Sequence, residues 1–301
     1  MIRVEGLAKN FGGFQAVKGV SFTANEGEIF GIAGPNGAGK STIVKMLSTI
    51  LSPSSGEAEI NGLDIRRDAQ EIRRIIGYLP EEPRVYDYLS GRSFLRFFAN
   101  IYGIRDTDRR IQEMLKFVGL LEHAGRKIGD YSKGMKQRIS IARALLHDPE
   151  VLILDEPTMG LDPASARELR EKVLGLRDEG KTILICTHYM DEADFLCDKL
   201  AILNQGKIAA IGKPEALKAR VGKKRYVSVV LEETAGDRER KFVRLLKARQ
   251  RGRAILVEAA DTGLAIKRIH DASKACGVRM LSIRNVEPSL DDAFIEFTRG
   301  H

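Results

Sequence analysis

An α/β fold followed by a smaller α/β domain is predicted by three features of the 301-residue sequence. An apolar run, Ile29 to Ala33, leads through a glycine-rich turn into a helix that starts at Lys40 and Ser41. Apolar helix and strand segments alternate from Ile139 to Cys186, the pattern of a parallel sheet with helices on its faces. A second alternation begins after Lys223-Lys224-Arg225, which reads as a linker, so residues 1–222 and 223–301 are the expected domains.

The elements follow in order. Val4 to Leu7, Val17 to Phe22 and Glu28 to Ala33 read as strands separated by the turns Phe11-Gly12-Gly13 and Asn25-Glu26-Gly27, so antiparallel strands precede the glycine-rich turn. Glu57 to Ile60 is a strand followed by the hairpin signal Asn61-Gly62, and Ile75 to Leu79 is an apolar strand closed by prolines. From Ser90 to Leu121 the apolar residues Phe94, Leu95, Phe97, Phe98, Ile101, Ile111, Met114, Leu115 and Val118 recur at helical spacing, predicting a helical subdomain over about residues 88–138 with a break near Tyr102-Gly103. Helix Ile139 to Leu146, strand Val151 to Leu154, helix Pro163 to Arg177 and strand Thr182 to Cys186 come next. Leu200 to Leu203 and Lys207 to Ile211 form a closing hairpin, and Pro214 starts a short helix where proline is tolerated. The second domain reads as strand Tyr226 to Leu231, helix Arg238 to Arg249, strand Ala254 to Ala259, helix Gly263 to Ala275, strand Val278 to Arg284 and helix Ser289 to Thr298.

Hydrophobic residues at 43% and charged residues at 30% are those of a soluble globular chain. No apolar run approaches the roughly 20 residues a membrane-spanning helix needs, and Met1 to Gly6 has the character of a strand rather than a signal peptide. A cytoplasmic location is expected. Cys186, Cys197 and Cys276 fall in no metal-binding spacing and read as buried small apolar residues. The net charge of +8 suggests an anionic partner, with nucleotide, nucleic acid and lipid headgroups all candidates.

The turn Gly34-Pro35-Asn36-Gly37-Ala38-Gly39-Lys40-Ser41-Thr42 is a phosphate cradle. Its glycines allow successive N–H groups to point inward at an anion, and the helix start adds free N–H groups and partial positive charge. Lys40 can reach the β- and γ-phosphates, the Ser41 hydroxyl can ligate Mg²⁺, and Thr42 can support the phosphate contacts. The strand Val151 to Leu154 ends in Asp155 and Glu156. Asp155 can bind Mg²⁺ through water and Glu156 can polarise an attacking water, two roles that nucleotide triphosphate hydrolysis needs close together.

Between these stretches lies Tyr131-Ser132-Lys133-Gly134-Met135-Lys136-Gln137-Arg138. It resembles the signature motif of ATP-binding cassette (ABC) ATPases, usually Leu-Ser-Gly-Gly-Gln, retaining Ser132 and Gly134. The resemblance implies a P-loop NTPase-type fold with a mixed sheet core, an antiparallel β subdomain and a helical subdomain. It also implies that Ser132 and Gly134 close over ATP held by a second copy in a head-to-tail dimer. Further landmarks of the family follow in this sequence. Thr187-His188 matches the switch histidine that links the γ-phosphate to the catalytic glutamate, Gly160-Leu161-Asp162 the loop that communicates between subunits, and Phe11 the ring that stacks on adenine. After Gly77-Tyr78-Leu79-Pro80 the family usually has Gln; here Glu81 offers an oxygen to Mg²⁺ and brings a negative charge toward the γ-phosphate.

The variant signature, and the tail Glu287-Pro288-Ser289-Leu290-Asp291-Asp292-Ala293-Phe294, are closest to the branch of cassette subunits that serve exporters of drugs, lipids, polysaccharides or ions. The resemblance therefore implies ATP and Mg²⁺ as ligands and a separate integral membrane permease as partner, docked on Arg84 to Phe98, with no nucleic acid expected. It places the chain peripherally on the inner face of the cell membrane. The competing reading is a soluble cassette ATPase acting on nucleic acid or ribosomes. It draws on the run Arg238 to Arg253, read as a helix with one apolar and one basic face that could be simply solvated, meet anionic lipid, or contact nucleic acid.

Overall fold

The computed structural model describes residues 1–220, 225–232, 236–259, 261–286 and 288–298. Lys223 and Lys224 of the expected linker, the expected boundary at residues 222/223, and Glu287 of the tail element lie outside them. The chain divides into two compact units, Met1–Pro214 and Glu215–His301.

The first unit opens with a hairpin, β1 (Ile2–Phe11) and β2 (Phe14–Ala24), longer than expected because the pairing runs through irregularities as far as Phe11 and Phe14. β3 (Ile29–Ala33) then leads into α1 (Lys40–Leu47). β4 (Ser55–Ile60) turns through Asn61 (φ 50°) and Gly62 (φ 80°), a two-residue hairpin with both central residues left-handed, into β5 (Leu63–Asp64). No sequence pattern marks the next helix, α2 (Ala69–Ile75), because it buries only Ile72 and so lacks an apolar period; the strand expected from Ile75 begins one residue later as β6 (Ile76–Leu79). Helices α3 (Gly91–Ile101) and α4 (Thr107–Phe117) follow, parted at Tyr102-Gly103 as the spacing predicts. The alternation resumes with α5 (Lys133–Leu145), β7 (Val151–Asp155), α6 (Pro163–Asp178), β8 (Thr182–Thr187), α7 (Met190–Leu196), β9 (Lys199–Asn204) and β10 (Lys207–Gly212).

Two sheets result. A four-stranded antiparallel sheet has the order β2-β1-β4-β5, and a six-stranded one the order β10-β9-β3-β8-β7-β6, parallel except for β10. β3, β7 and β8 are buried at every position, which their continuous apolar runs require of central parallel strands. One apolar cluster joins Ile2, Val4 and Leu7 of β1, Val20 and Phe22 of β2, Ile43, Val44 and Leu47 of α1, and Ile153, Leu184 and Leu203 of the larger sheet. Helix α1 is thus gripped by both sheets, which fixes the turn at its start. On the helical side, Arg110 of α4 donates to the carbonyls of Leu145 (2.8 Å) and Leu146 (2.9 Å), satisfying acceptors at the end of α5. Cys186, Cys197 and Cys276 are buried and unpaired, as expected.

The second unit, into which α8 (Pro214–Arg220) leads, contains β11 (Arg225–Leu231), α9 (Asp237–Leu246), β12 (Arg249–Arg251), β13 (Ala254–Ala259), α10 (Thr262–Cys276), β14 (Met280–Val286) and α11 (Leu290–Thr298). Its sheet is antiparallel with order β12-β13-β11-β14, a βαββαβ arrangement. The apolar core gathers Val227 and Val229, Phe242 and Leu246, Ile255 and Val257, and Ile269. The basic run Arg238 to Arg253 is not one helix. Lys247 takes a left-handed conformation (φ 50°) and closes α9, and the remainder folds back as the β12–β13 hairpin around Gly252. Nineteen Lys and Arg against twelve Asp and Glu in residues 215–301 place seven of the eight net positive charges in this unit, so the net charge says little about the phosphate cradle.

Phe242 is fully buried in this core. Replacing Phe242 with Ala is expected to cost about 3–5 kcal/mol of unfolding free energy in denaturant titration, and a loss under about 1 kcal/mol would mean that the core is not packed as described.

Candidate functional site

The cradle forms where β3 ends. Gly34 N–H donates to Thr187 O of the neighbouring strand (3.3 Å), Ala38 N–H to Pro35 O (3.2 Å), and Gly206 N–H to Ala38 O (2.9 Å), so the loop is braced from both sides. Two glycines are required for separate reasons. A Cβ at Gly34 would stand 2.3 Å from Leu203 O, and Gly39 combines φ 107° with a Cβ position 2.7 Å from Ala16 O. Gly39 caps α1 without a side-chain hydrogen bond, leaving the helix-start N–H groups for a ligand.

The cradle opens on a cleft of about 330 Å³. Phe11, Asn36, Gly37, Gly39, Lys40, Ser41, Thr42, Glu81 and Glu156 line it, as the sequence predicts, and so do Phe14 and Ala16. Phe14, 65% exposed, is not among the sequence-predicted site residues; its signal is a second aromatic across the Gly12-Gly13 turn from Phe11. Gly34, Pro35 and Ala38 frame the loop instead of lining the cleft.

Behind the cradle three ionisable side chains meet. Lys40 Nζ lies 3.4 Å from Glu156 Oε1 and donates to Gly34 O (2.8 Å) and Pro35 O (3.3 Å). His188 Nδ1 lies 2.9 Å from Glu156 Oε2. Glu156 is 3% exposed and has φ 52°, a left-handed backbone costing a residue with a Cβ about 1–2 kcal/mol. Its N–H donates to Cys186 O (2.8 Å), and its carbonyl accepts from Met159 N–H (3.1 Å) and Gln137 Nε2 (3.4 Å), which holds the strained turn.

Asp155, next to it at the strand tip, is 1% exposed, and its Oδ1 is buried without a partner. Burial pushes its carboxyl up to about 6; Glu81 and Glu156 add to the shift, while the Ser41 hydroxyl and Lys40 oppose it. An unpaired buried oxygen beside a hydroxyl and a second carboxylate suits a hard divalent cation. Among the described residues no three His, Cys, Asp or Glu side chains converge to hold a metal alone.

The other expected site residues lie elsewhere. Ser132 caps α5, accepting from Met135 N–H (3.2 Å), and a Cβ at Gly134 would meet Leu161. Asp162 caps α6, accepting from Ser165 N–H (3.0 Å). None of Ser132, Gly134 and Asp162 lines the cleft of its own chain. Two neighbouring residues of α5 that are not among the sequence-predicted site residues connect these parts. Gln137, 1% exposed, donates to Pro157 O (3.1 Å), and Arg138 donates to the Ser165 hydroxyl, which in turn bonds Asp162. Their signal was a polar pair at the head of an apolar helix.

Because Asp155 has a folded pKa near 6 against an ordinary 3.8, its ionisation opposes folding: its contribution is favourable below about pH 4 and is lost as pH rises through about 6. In chelator, Asp155→Asn should therefore raise stability by up to about 3 kcal/mol at about pH 8 and by little at about pH 4. Denaturant titration at both pH values checks this, and equal effects would contradict the burial argument.

A family profile described as "ABC transporter" matches residues 17–159. The chain is 34% identical over 309 residues to the linearmycin resistance ATP-binding protein LnrL of Bacillus subtilis (strain 168), covering 99% of this chain and 98% of that one. It is 35% identical over 307 residues to the daunorubicin resistance ATP-binding protein DrrA2 of Streptomyces coeruleorubidus, covering 100% and 95%. A solved ATP-binding subunit of an ABC transporter superposes with TM-score 0.68 at 32% identity, over 73% of this chain and 92% of that chain. A dimeric ATP-binding cassette in a post-hydrolysis state with ADP and Pi superposes with TM-score 0.66 at 27% identity, over 71% and 98%. With Lys40 and Glu156 lining one cleft and His188 against Glu156, these likenesses establish that the chain belongs to the ABC transporter family, as an ATP-binding, ATP-hydrolysing subunit.

Proposed function

We propose that the chain binds Mg²⁺-ATP in the cleft, pairs head-to-tail with a second copy, and drives a separate membrane permease that exports its cargo. The observation that carries this reading is that Glu156 stands between Lys40 and His188 while Ser132, Gly134 and Asp162 lie outside their own cleft. The catalytic half of a site is built in each chain, and the phosphate-binding start of α5 is left for another.

In this reading Phe11 stacks on adenine, Asn36 to Thr42 hold the phosphates, and Lys40 leaves Glu156 for the β- and γ-phosphates. Glu156 then polarises the attacking water, and the Nδ1 contact to Glu156 frees the second ring nitrogen of His188 for the γ-phosphate. Ser41 and Asp155 would hold Mg²⁺, with Glu81 as a further oxygen; the ion offsets phosphate charge. Export is supported by relatives named for resistance to linearmycin and daunorubicin. For the permease, the surface over Arg84 to Phe98 is suited: Tyr86 packs edge-on to Phe94 and Phe97, and Tyr88 is 73% exposed. No helix of the described residues is long and apolar enough to cross a membrane, so a peripheral place on the inner membrane face through that permease belongs to the same proposal. Residues 223–301 form an accessory domain to the cassette of residues 1–222.

Glu156→Gln should lower ATP turnover by roughly 10²–10⁴-fold and trap an ATP-bound dimer on size-exclusion chromatography. A monomer at saturating ATP, or retained turnover, would count against the reading. Glu81→Gln should shift the Mg²⁺ dependence of ATP hydrolysis, and superimposable metal titrations would remove Glu81 from the site.

A further inference from the structure

Glu192, in the first turn of α7, is 2% exposed, and neither carboxyl oxygen meets a donor at full hydrogen-bond geometry, although the Thr187 and Thr158 hydroxyls lie close enough to act on it. Buried carboxyls are rarely partnered so weakly, and one at a functional junction calls for a use. The Thr187 and Thr158 hydroxyls act on the carboxyl, as does Arg170 of α6, whose Nε is also buried and unbonded; Glu156 is the neighbouring like charge. Burial raises the carboxyl's pKa, the two hydroxyls and Arg170 draw it back, and Glu156 adds to the rise. Thr158 follows Glu156 by two residues and Thr187 directly precedes His188. Glu192 therefore faces both chain segments that carry the catalytic pair, yet it does not line the cleft. Thr187 Oγ1 already accepts from Tyr189 N–H (3.1 Å), so its O–H remains to be donated.

We propose that Glu192 is a positioning residue: its carboxyl accepts the Thr158 and Thr187 hydroxyls, tying the loop after Glu156 to the strand end before His188 while nucleotide is turned over. The neutral side chain of Gln keeps an acceptor oxygen and the same shape, whereas Ala removes the tie and leaves both hydroxyls facing a void.

The test is steady-state ATP hydrolysis by the full 301-residue chain, with binding of a fluorescent ATP analogue measured alongside. Glu192→Ala should lower kcat by about 10-fold or more with KM and analogue affinity within about 2-fold, and Glu192→Gln should restore kcat to within about 3-fold of the parent. Thr158→Val should lower kcat, and adding it to Glu192→Ala should cost nothing further. Parental kcat in Glu192→Ala, a loss that Gln does not restore, or an additive double variant overturns the proposal. Should Glu192→Ala fail to fold, Thr187→Val and Thr158→Val, singly and together, carry the same test: a shared loss supports the tie and additive losses overturn it. The inference rests on the roles given to Glu156 and His188. Failure of those roles shows separately, as retained turnover in Glu156→Gln, whereas failure here leaves that variant inactive.

Discussion

A carboxylate with almost no exposed surface, set 3.4 Å from one ammonium and 2.9 Å from one imidazole, constrains most of what surrounds it. Taking Glu156 out of water is costly unless its charge is matched, and Lys40 supplies the match. In the proposed function a phosphate competes for the same ammonium, so ligand binding and the freeing of Glu156 would be one exchange. The left-handed backbone at Glu156 aims the carboxylate into this position, and the bond it donates to Cys186 O and those it accepts from Met159 and Gln137 keep it from relaxing.

The fold makes that arrangement reproducible. β3, β7 and β8 are adjacent in the large sheet, so the cradle, the acidic tip and the histidine leave neighbouring strand ends at one level, and ligands of open α/β sheets bind there. The antiparallel hairpin adds Phe11 and Phe14 from a separate sheet, held to the first by the core around α1. The cradle and the aromatic wall of the cleft thus come from different layers, fixed by one apolar cluster.

Much of this was legible in the residues themselves. The cradle announces itself because glycine spacing, a buried strand and a helix start coincide at Ile29 to Met46, and Asp155-Glu156 because two acids end a run that is otherwise wholly apolar. What escaped depended on burial without periodicity. Helix α2 shows only Ile72 to the core, Glu192 is an acid on an inward face, and Gln137 and Arg138 work through backbone and hydroxyl groups that no pattern of side chains records. The basic run misled because helical spacing persists through Lys247 to Arg249, while the backbone reverses at Lys247 to pair with β13.

The consecutive placement of Gln137 and Arg138 has a mechanical meaning. Adjacent residues leave a helix about 100° apart, so the two side chains grip different loops from different sides of α5, one behind Glu156 and the other at the cap of α6. A single rigid helix is thereby fastened both to the loop after Glu156 and to the Asp162 turn, so neither loop is positioned independently of the other.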